Sequence, residues 1–301
     1  MIRRLALCAV VLLAGCARKE ERAPAAPETT RVARPQPPSP RPPARYRAIR
    51  LSGESALRGL QKDLGARRFA LFLKVNRIDL GHVRVTDTLT LPDSSLDTLD
   101  LSPFPLDLAS AATTPKLLLV SIRAQAFGAY EGGRLVRWGP TSTGKKSTPT
   151  PVGLYHASWK AKQRTSTVND EWLLKWCVNI ESQLGISLHQ YELPGRPASH
   201  SCVRLLEDDA IWVYDWVDQW KLDADHKVTQ EGTPVLVFGE YAWGKPAPWK
   251  RLPEDPEAAS PAIAELDSAL HVAFPAAPVA AADSSVVPDS LAPADSSTAG
   301  G

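Results

Sequence analysis

The stretch from Ile186 to Asp215 reads ISLHQYELPGRPASHSCVRLLEDDAIWVYD and decides how the rest of the chain is interpreted. One histidine, His189, precedes a Pro/Gly turn, and Cys202 follows that turn, two residues after a second histidine, His200. A reversing loop can bring a thiol and an imidazole to one point, where the imidazole serves as the base for a cysteine nucleophile. The stretch therefore predicts a site for cysteine acyl transfer.

Acyl transfer also needs hydrogen-bond donors for the oxyanion that forms when the nucleophile attacks a carbonyl group. The backbone N–H groups around Ser201 and Cys202 are predicted to supply them. His189 and His200 are both candidate bases, but His200 shares a side with Cys202 only if that segment is extended. Arg204 alternates with Cys202, and its planar guanidinium is suited to binding a substrate carboxylate.

Three other uses of these residues are weaker. A zinc site would need about four ligands, and Cys202, His200 and His189 have neither a clear fourth partner nor a C-x-x-C pair. A papain-like protease would carry its nucleophile on an N-terminal helix, whereas Cys202 comes late and after strands. An oxidising exterior permits a disulfide to Cys177, but Cys177 lies in an aromatic-rich strand and is expected to be buried and inert.

Residues 1–16 are predicted to be a lipoprotein signal. A charged start at Arg3 and Arg4 precedes an apolar run that is too short for the ~20 residues of a membrane-spanning helix. The run ends in LAGC, which resembles the lipobox of bacterial lipoproteins and implies lipidation of Cys16; an ordinary secretory signal is the alternative. No Asp follows Cys16, so we expect a lipid-anchored protein on the periplasmic side of the bacterial cell envelope, at the outer membrane.

The two ends of the 301-residue chain differ in composition from its middle. Residues 17–46 are Pro-rich and basic with few large apolar residues, which predicts an extended tether. Residues 243–301 are rich in Ala, Pro, Ser and Asp, which predicts a disordered tail. The formal net charge of +2 gives no reason to expect nucleic acid as a partner.

Residues 47–100 form a small segment of their own. Ala56, Leu57, Leu60 and Leu64 have helical spacing, and an apolar run follows at residues 70–73. Its end faintly resembles a LysM glycan-binding module, with Thr86 where that pattern has glycine. The alternative is a small helical cap that packs on the main domain.

Residues 110–242 are predicted to form the main domain, mostly from short β-strands. A hairpin is expected around Glu131-Gly132-Gly133 and a second strand pair around Gly185, with residues 206–220 as the clear helix. The predicted fold class is mainly β with a few helices (α+β), as a β-sandwich or barrel-like domain.

Two motifs together resemble the catalytic domain of the L,D-transpeptidase (YkuD-like) family over residues 115–242. The first is His189 followed by Ser199-His200-Ser201-Cys202-Val203-Arg204. The second is Ser142-Thr143-Gly144 followed by Thr150-Pro151-Val152-Gly153. Ser201 and Gln190 depart from the family pattern, which usually has Gly at the first position and Gly or Ser at the second. A side chain at position 201 is expected to affect oxyanion geometry, because Gly permits closer backbone approach.

The resemblance implies that Cys202 attacks the peptide bond before a terminal D-Ala in a peptidoglycan stem peptide and forms a thioester. An amine of a second stem then forms a cell-wall crosslink, whereas water would make the protein an L,D-carboxypeptidase. It implies His189 as the base, oriented through the backbone carbonyl near Gln190, and no metal or organic cofactor. The other predicted site residues support catalysis or bind substrate: Ser199, His200, Ser201, Gln190, Arg204, Gly195 and Tyr191. A second hypothesis is a peptidoglycan-binding lipoprotein whose active site has decayed.

Overall fold

The computed structural model describes residues 45–93, 97–166 and 169–274. The elements are β1 Tyr46–Arg50, α1 Glu54–Asn76, β2 Thr88–Pro92, β3 Lys116–Ser121, β4 Ala126–Glu131, β5 Arg134–Ser142, β6 Gly153–His156, β7 Lys160–Thr165, β8 Leu173–Glu181, β9 Ile186–Gln190, β10 Val203–Leu205, α2 Glu207–Trp216, β11 Lys221–Leu222, β12 Val228–Gln230, β13 Pro234–Phe238 and α3 Ile263–Ala273. The predicted signal with Cys16, almost all of the predicted tether and the end of the predicted tail lie outside the described residues. Within the described ranges, no helix combines the length and apolar character needed to cross a membrane.

Nine strands form one mixed sheet in the order β6-β13-β3-β4-β5-β10-β9-β8-β7. The β3–β13 and β9–β10 pairs are parallel, and the other neighbours are antiparallel. The hairpin predicted around residues 131–133 is present as β4–β5, and the pair predicted around Gly185 is present as β8–β9. The predicted fold class, mainly β with a few helices, is confirmed.

The central strand β3 is buried on both faces of the sheet. Leu117 and Leu119 belong to one hydrophobic cluster, and Leu118 and Val120 belong to a second one. This division follows from the alternation of side chains along a strand. A strand buried on both faces has a continuous apolar sequence, which explains the LLLV run.

Helix α2 covers the second cluster with Ala210 and Val213, which are fully buried. Three acidic residues in its first turn stabilise the N-terminal end of the helix through the helix dipole. At its other end, the Lys160 ammonium donates hydrogen bonds to the carbonyl oxygens of Tyr214 and Val217, at 2.7 and 2.9 Å. The helix ends at Trp216, four residues before the predicted end, and Val217 is already extended (φ −72°, ψ 142°).

The N-terminal segment contains β1 and β2, which pair antiparallel, and the helical stretch α1, which bends at Gly65 (φ 68°, ψ 170°). The helix was predicted in part, and the two short strands were not. The segment packs on the main domain through Arg77, whose guanidinium lies 5.2 Å from the ring centroid of Trp138 and 5.6 Å from that of Trp249. The glycan binding that a LysM-like module implies stays a prediction.

The disordered tail predicted from residue 243 is wrong for residues 243–274. Trp249 is buried, and Leu266 and Leu270 of α3 pack into the first cluster with Leu117 and Trp138. The apolar anchors are few and widely spaced among Ala, Pro and Glu, so composition alone hides them. Each large buried side chain contributes roughly 1.5–3 kcal/mol, which is enough to hold such a segment on the sheet.

Candidate active site

One cleft contains most of the residues that the sequence singled out. Its lining consists of Ser166, Trp172, Leu174, His189, Tyr191, Ser199, His200, Cys202 and Arg204. His200, Cys202 and Arg204 in this cleft are partly exposed to solvent. The arrangement follows from the sheet, because β9 and β10 are adjacent and parallel, with His189 opposite Arg204 and Leu188 opposite Val203. The Pro/Gly turn therefore returns the chain beside His189, as the sequence predicted.

His189 lies at the end of β9 with only 4% of its surface exposed. Its Nδ1 is 2.9 Å from the backbone carbonyl oxygen of Gln190, so Nδ1 carries the proton and donates it. This bond fixes the ring and leaves Nε2 without a proton. Burial lowers the pKa of His189 to about 4; the Gln190 carbonyl opposes this shift, and the charge of Arg204 adds to it. The ring is therefore neutral near pH 7 and able to accept a proton.

Cys202 is a free cysteine that is partly buried at the start of β10. Its thiol contacts the carbonyl oxygen of Gly185 at a distance of 3.7 Å. Burial raises the pKa of the Cys202 thiol, while a backbone hydrogen bond from Ser187 and the charge of Arg204 oppose that increase. Burial therefore favours the neutral form of both the Cys202 thiol and the His189 imidazole.

The peptide groups on either side of Cys202 are held by two hydroxyl groups. Thr150 Oγ1 donates a 2.8 Å hydrogen bond to the carbonyl oxygen of Ser201, and Ser199 Oγ donates to the carbonyl oxygen of Cys202. In a trans peptide the N–H points away from the carbonyl, so the N–H of Cys202 is turned away from Thr150. Ser201 has a φ of 80°, so residues 200–202 form a bend rather than an extended segment.

The upstream motif, Ser142-Thr143-Gly144 followed by Thr150, also supports this bend. Gly144 forms an isolated parallel bridge with Ser199, and its N–H donates to Thr150 Oγ1 at 2.8 Å. A Cβ at position 144 would lie 2.2 Å from the carbonyl oxygen of Thr148, so this position requires glycine. The two sequence motifs therefore form one structural unit, in which Gly144 and Thr150 fix the backbone that precedes Cys202.

His200 lines the cleft with Cys202, but its ring is engaged by Lys145 and Trp172 rather than by the thiol. Its Nε2 is 2.8 Å from Lys145 Nζ, and its ring centroid is 5.2 Å from that of Trp172. Partial burial and the charges of Lys145 and Arg204 lower the pKa of His200, so its ring accepts the lysine hydrogen bond. The sequence reasoning missed Lys145 and Trp172. Only the position of Lys145, directly after the Ser142-Thr143-Gly144 motif, could have indicated a role.

Arg204 and Tyr191 form the other wall of the cleft. The guanidinium carbon of Arg204 lies 4.5 Å from the centroid of the Tyr191 ring, and its Nη1 is 3.5 Å from the carbonyl oxygen of Glu192. Gly195 is not among the residues that line the cleft. Its N–H donates to the carbonyl oxygen of Arg77 at 3.1 Å, so Gly195 contacts the N-terminal segment, and its part in substrate binding stays a prediction.

A thiol, an oriented neutral imidazole and a guanidinium in one cleft are the groups that cysteine acyl transfer uses. Residues 115–237 match the family model described as YkuD, L,D-transpeptidase catalytic domain. Over these residues the chain is similar to L,D-transpeptidase catalytic domains.

The relatives and solved structures that are similar to this chain include proteins named L,D-transpeptidases. Over 117 residues the chain is 30% identical to L,D-transpeptidase 1 of Mycobacterium tuberculosis (strain ATCC 25618 / H37Rv); the matched region is 33% of this chain and 45% of that relative. The chain thus spans about half the length of the curated relative it matches. Among solved structures, an L,D-transpeptidase from Mycobacterium smegmatis is 23% identical, with a TM-score of 0.34 and coverage of 42% of this chain and 59% of that chain. One from Stackebrandtia nassauensis is 24% identical, with a TM-score of 0.35 and coverage of 43% and 58%.

Proposed function

We propose that this protein is an L,D-transpeptidase that crosslinks peptidoglycan stem peptides through a thioester on Cys202. The observation that carries the proposal is the placement of His189 and Cys202 in one cleft, with the proton of His189 held on Nδ1 by Gln190. Only that tautomer leaves Nε2 free to take the thiol proton. The family match over residues 115–237 supports the same reaction.

In the proposed first step, His189 Nε2 takes the proton of Cys202 as the sulfur attacks the carbonyl carbon that precedes a terminal D-Ala. A neutral thiol suits this coupled transfer, because the base removes the proton during attack. The N–H of Cys202 and its neighbours stabilise the oxyanion. The C–N bond then breaks, and the proton on His189 passes to the nitrogen of the departing D-Ala, which leaves a thioester.

In the second step, an amine of another stem attacks the thioester carbonyl. His189 takes a proton from that amine and returns one to the sulfur, so that the thiol is regenerated and an amide bond forms. Attack by water would instead give an L,D-carboxypeptidase. Arg204 is proposed to bind a substrate carboxylate, because its guanidinium is positioned at the wall of the cleft by Tyr191.

The test is mass spectrometry of the soluble chain after incubation with a defined tetrapeptide stem. We expect an acyl adduct on Cys202 with release of D-Ala, and no adduct in Cys202→Ala. Cys177→Ala is the matched control, because Cys177 is buried in β8 and its removal leaves the cleft thiol in place. An adduct that persists in Cys202→Ala would contradict the proposal. Binding to peptidoglycan without any adduct would favour a decayed, wall-binding protein.

We further propose that the protein is lipid-anchored through Cys16 and acts on the periplasmic side of the cell envelope. The support is the sequence alone, in which small residues precede Cys16 at the end of an apolar run. Metabolic labelling with a fatty acid tests this proposal. We expect label on the wild-type chain and none on Cys16→Ala, whereas equal labelling of both chains would contradict it.

A further inference from the structure

The turn between His189 and Cys202 contacts a part of the chain that lies outside the family match. The N–H of Asp79 donates to the carbonyl oxygen of Leu193 at 3.1 Å, and the N–H of Gly195 donates to the carbonyl oxygen of Arg77, also at 3.1 Å. Ile78 and Pro194 form an isolated antiparallel bridge between these two bonds. A three-residue piece of the N-terminal segment thus pairs with the active-site turn.

The side chain of Asp79 adds a third bond to this contact. Its Oδ2 accepts from the backbone N–H of Leu193 at 2.7 Å. Its Oδ1 accepts from the backbone N–H of His82 at 3.0 Å and is 2.9 Å from His82 Nδ1. The contacts with His82 therefore fix the Asp79 carboxylate. It gives the Leu193 N–H a preorganised hydrogen-bond acceptor that carries a charge.

The piece that holds the turn is itself rigid. Arg77 is 1% exposed, and its guanidinium lies between the rings of Trp138 and Trp249. Its Nε donates to the carbonyl oxygen of Ala124 at 3.0 Å. On the turn side, Leu193 is fully buried. Displacement of Leu193 would thus expose a buried apolar side chain to solvent.

The turn connects directly to the wall of the cleft. Leu193 follows Glu192, whose carbonyl oxygen faces Arg204 Nη1, and Tyr191, whose ring lies against the Arg204 guanidinium. The N–H of Tyr191 donates to the carbonyl oxygen of Leu205 at 3.1 Å, which ties the same segment to β10. By contrast, His189 is held within the sheet and by Gln190.

We propose that Asp79 is a positioning residue of the active site, which holds the turn at Leu193 and thereby places Tyr191 and Arg204 for substrate binding. This inference rests on the proposed function. It assigns to the N-terminal segment an indirect part in substrate binding, since a displacement of about 1 Å in a binding group can lower efficiency by on the order of 100-fold. The effect should fall on KM more than on kcat, because Cys202 and His189 keep their own supports.

The experiment compares Asp79→Ala with the wild-type chain in two reactions at Cys202. Acylation by a carboxylate-bearing tetrapeptide stem uses Arg204 as a binding group, whereas uncharged iodoacetamide does not bind Arg204 and depends on it only through the pKa of Cys202. We expect Asp79→Ala to lower kcat/KM for acylation by about tenfold or more, mostly through KM. Alkylation should stay within about twofold of the wild-type rate. Asp79→Asn keeps an oxygen that can accept from Leu193 and should restore most of the loss.

Asp97→Ala is the matched control. Asp97 lies in the same segment and pairs with Arg67 at 2.5 Å, but both side chains are largely exposed and neither contacts the turn. This variant should behave as wild type. Equal acylation in Asp79→Ala and Asp97→Ala would overturn the inference. A parallel fall in acylation, alkylation and melting temperature would also overturn it, because it would show a merely structural role. A wild-type chain that reacts with iodoacetamide but is never acylated would overturn the proposed function itself, and this inference with it.

Discussion

Ser201 adopts a φ of 80°, a backbone conformation that residues other than glycine rarely adopt. The conformation is held because Thr150 Oγ1 binds the Ser201 carbonyl oxygen and Ser199 Oγ binds that of Cys202. The departure from the family pattern at this position thus falls where the backbone geometry favours glycine. In this chain serine adopts that conformation, with the Cys202 N–H turned away from Thr150.

The pKa directions at Cys202 and His189 predict how the thiol reacts as pH changes. Burial raises the pKa of Cys202 and lowers that of His189 to about 4, so no imidazolium is present at neutral pH to stabilise a thiolate. The rate of alkylation by iodoacetamide should therefore keep rising with pH beyond about 8.5, the ordinary pKa of a thiol. The rate is measured by quenching the alkylation after set times at each pH and quantifying the adduct by mass spectrometry.

His189→Asn should leave the rise of the alkylation rate at alkaline pH unchanged, because the His189 ring carries no charge at that pH. A plateau from about pH 5 to pH 8 would instead indicate a thiolate–imidazolium pair and would contradict the prediction.

At the scale of single elements, α3 shows how a short helix is fixed by a few contacts. Leu266 and Leu270 are each 1% exposed, whereas Ile263 and Val272 are 72% and 81% exposed. The helix is too short to be stable alone, since isolated helices under about 12–15 residues are marginal in water. Its stability must therefore come from the cluster that it shares with Leu117 and Trp138.

We expect Leu266→Ala to lower the free energy of unfolding by about 2–4 kcal/mol, through lost burial and an unfilled cavity. Val272→Ala, on the same helix but facing solvent, should change it by less than about 0.5 kcal/mol. Denaturant unfolding of the two variants measures the difference. Similar values for both would mean that α3 does not pack on the sheet as described.

Across the described ranges, segments at both ends of the sequence cover one face of the nine-stranded sheet. Val75 of α1 and Trp249 join the first cluster with Leu119, while α2 covers the opposite face. Two ion pairs to the buried Asp209 carboxylate add to this arrangement. The carboxylate accepts from Lys74 Nζ and from Arg137 Nη2, each at 2.8 Å. The sheet therefore depends on its flanking segments for a complete core.

A fragment of residues 110–242, the domain that the sequence delimits, should unfold less cooperatively than a fragment of residues 45–274. The shorter piece exposes the face that carries Leu119 and Trp138, and apolar area left in water forfeits about 25 cal/mol per Å². Calorimetry and size-exclusion chromatography of both fragments test this. A shorter fragment with an equal melting temperature and monomeric behaviour would contradict it.

The sequence by itself determined the β-hairpin at Gly132, the strand pair at Gly185, helix α2 and the grouping of His189 with Cys202. Each follows from local signals, such as turn glycines, periodicity and close spacing along the chain. Only the tertiary structure decided that His200 faces Lys145, that Gly195 contacts Arg77 and that residues 243–274 pack on the sheet. These features depend on contacts between residues far apart in the chain, and on a positive φ at Ser201 that composition and periodicity do not encode.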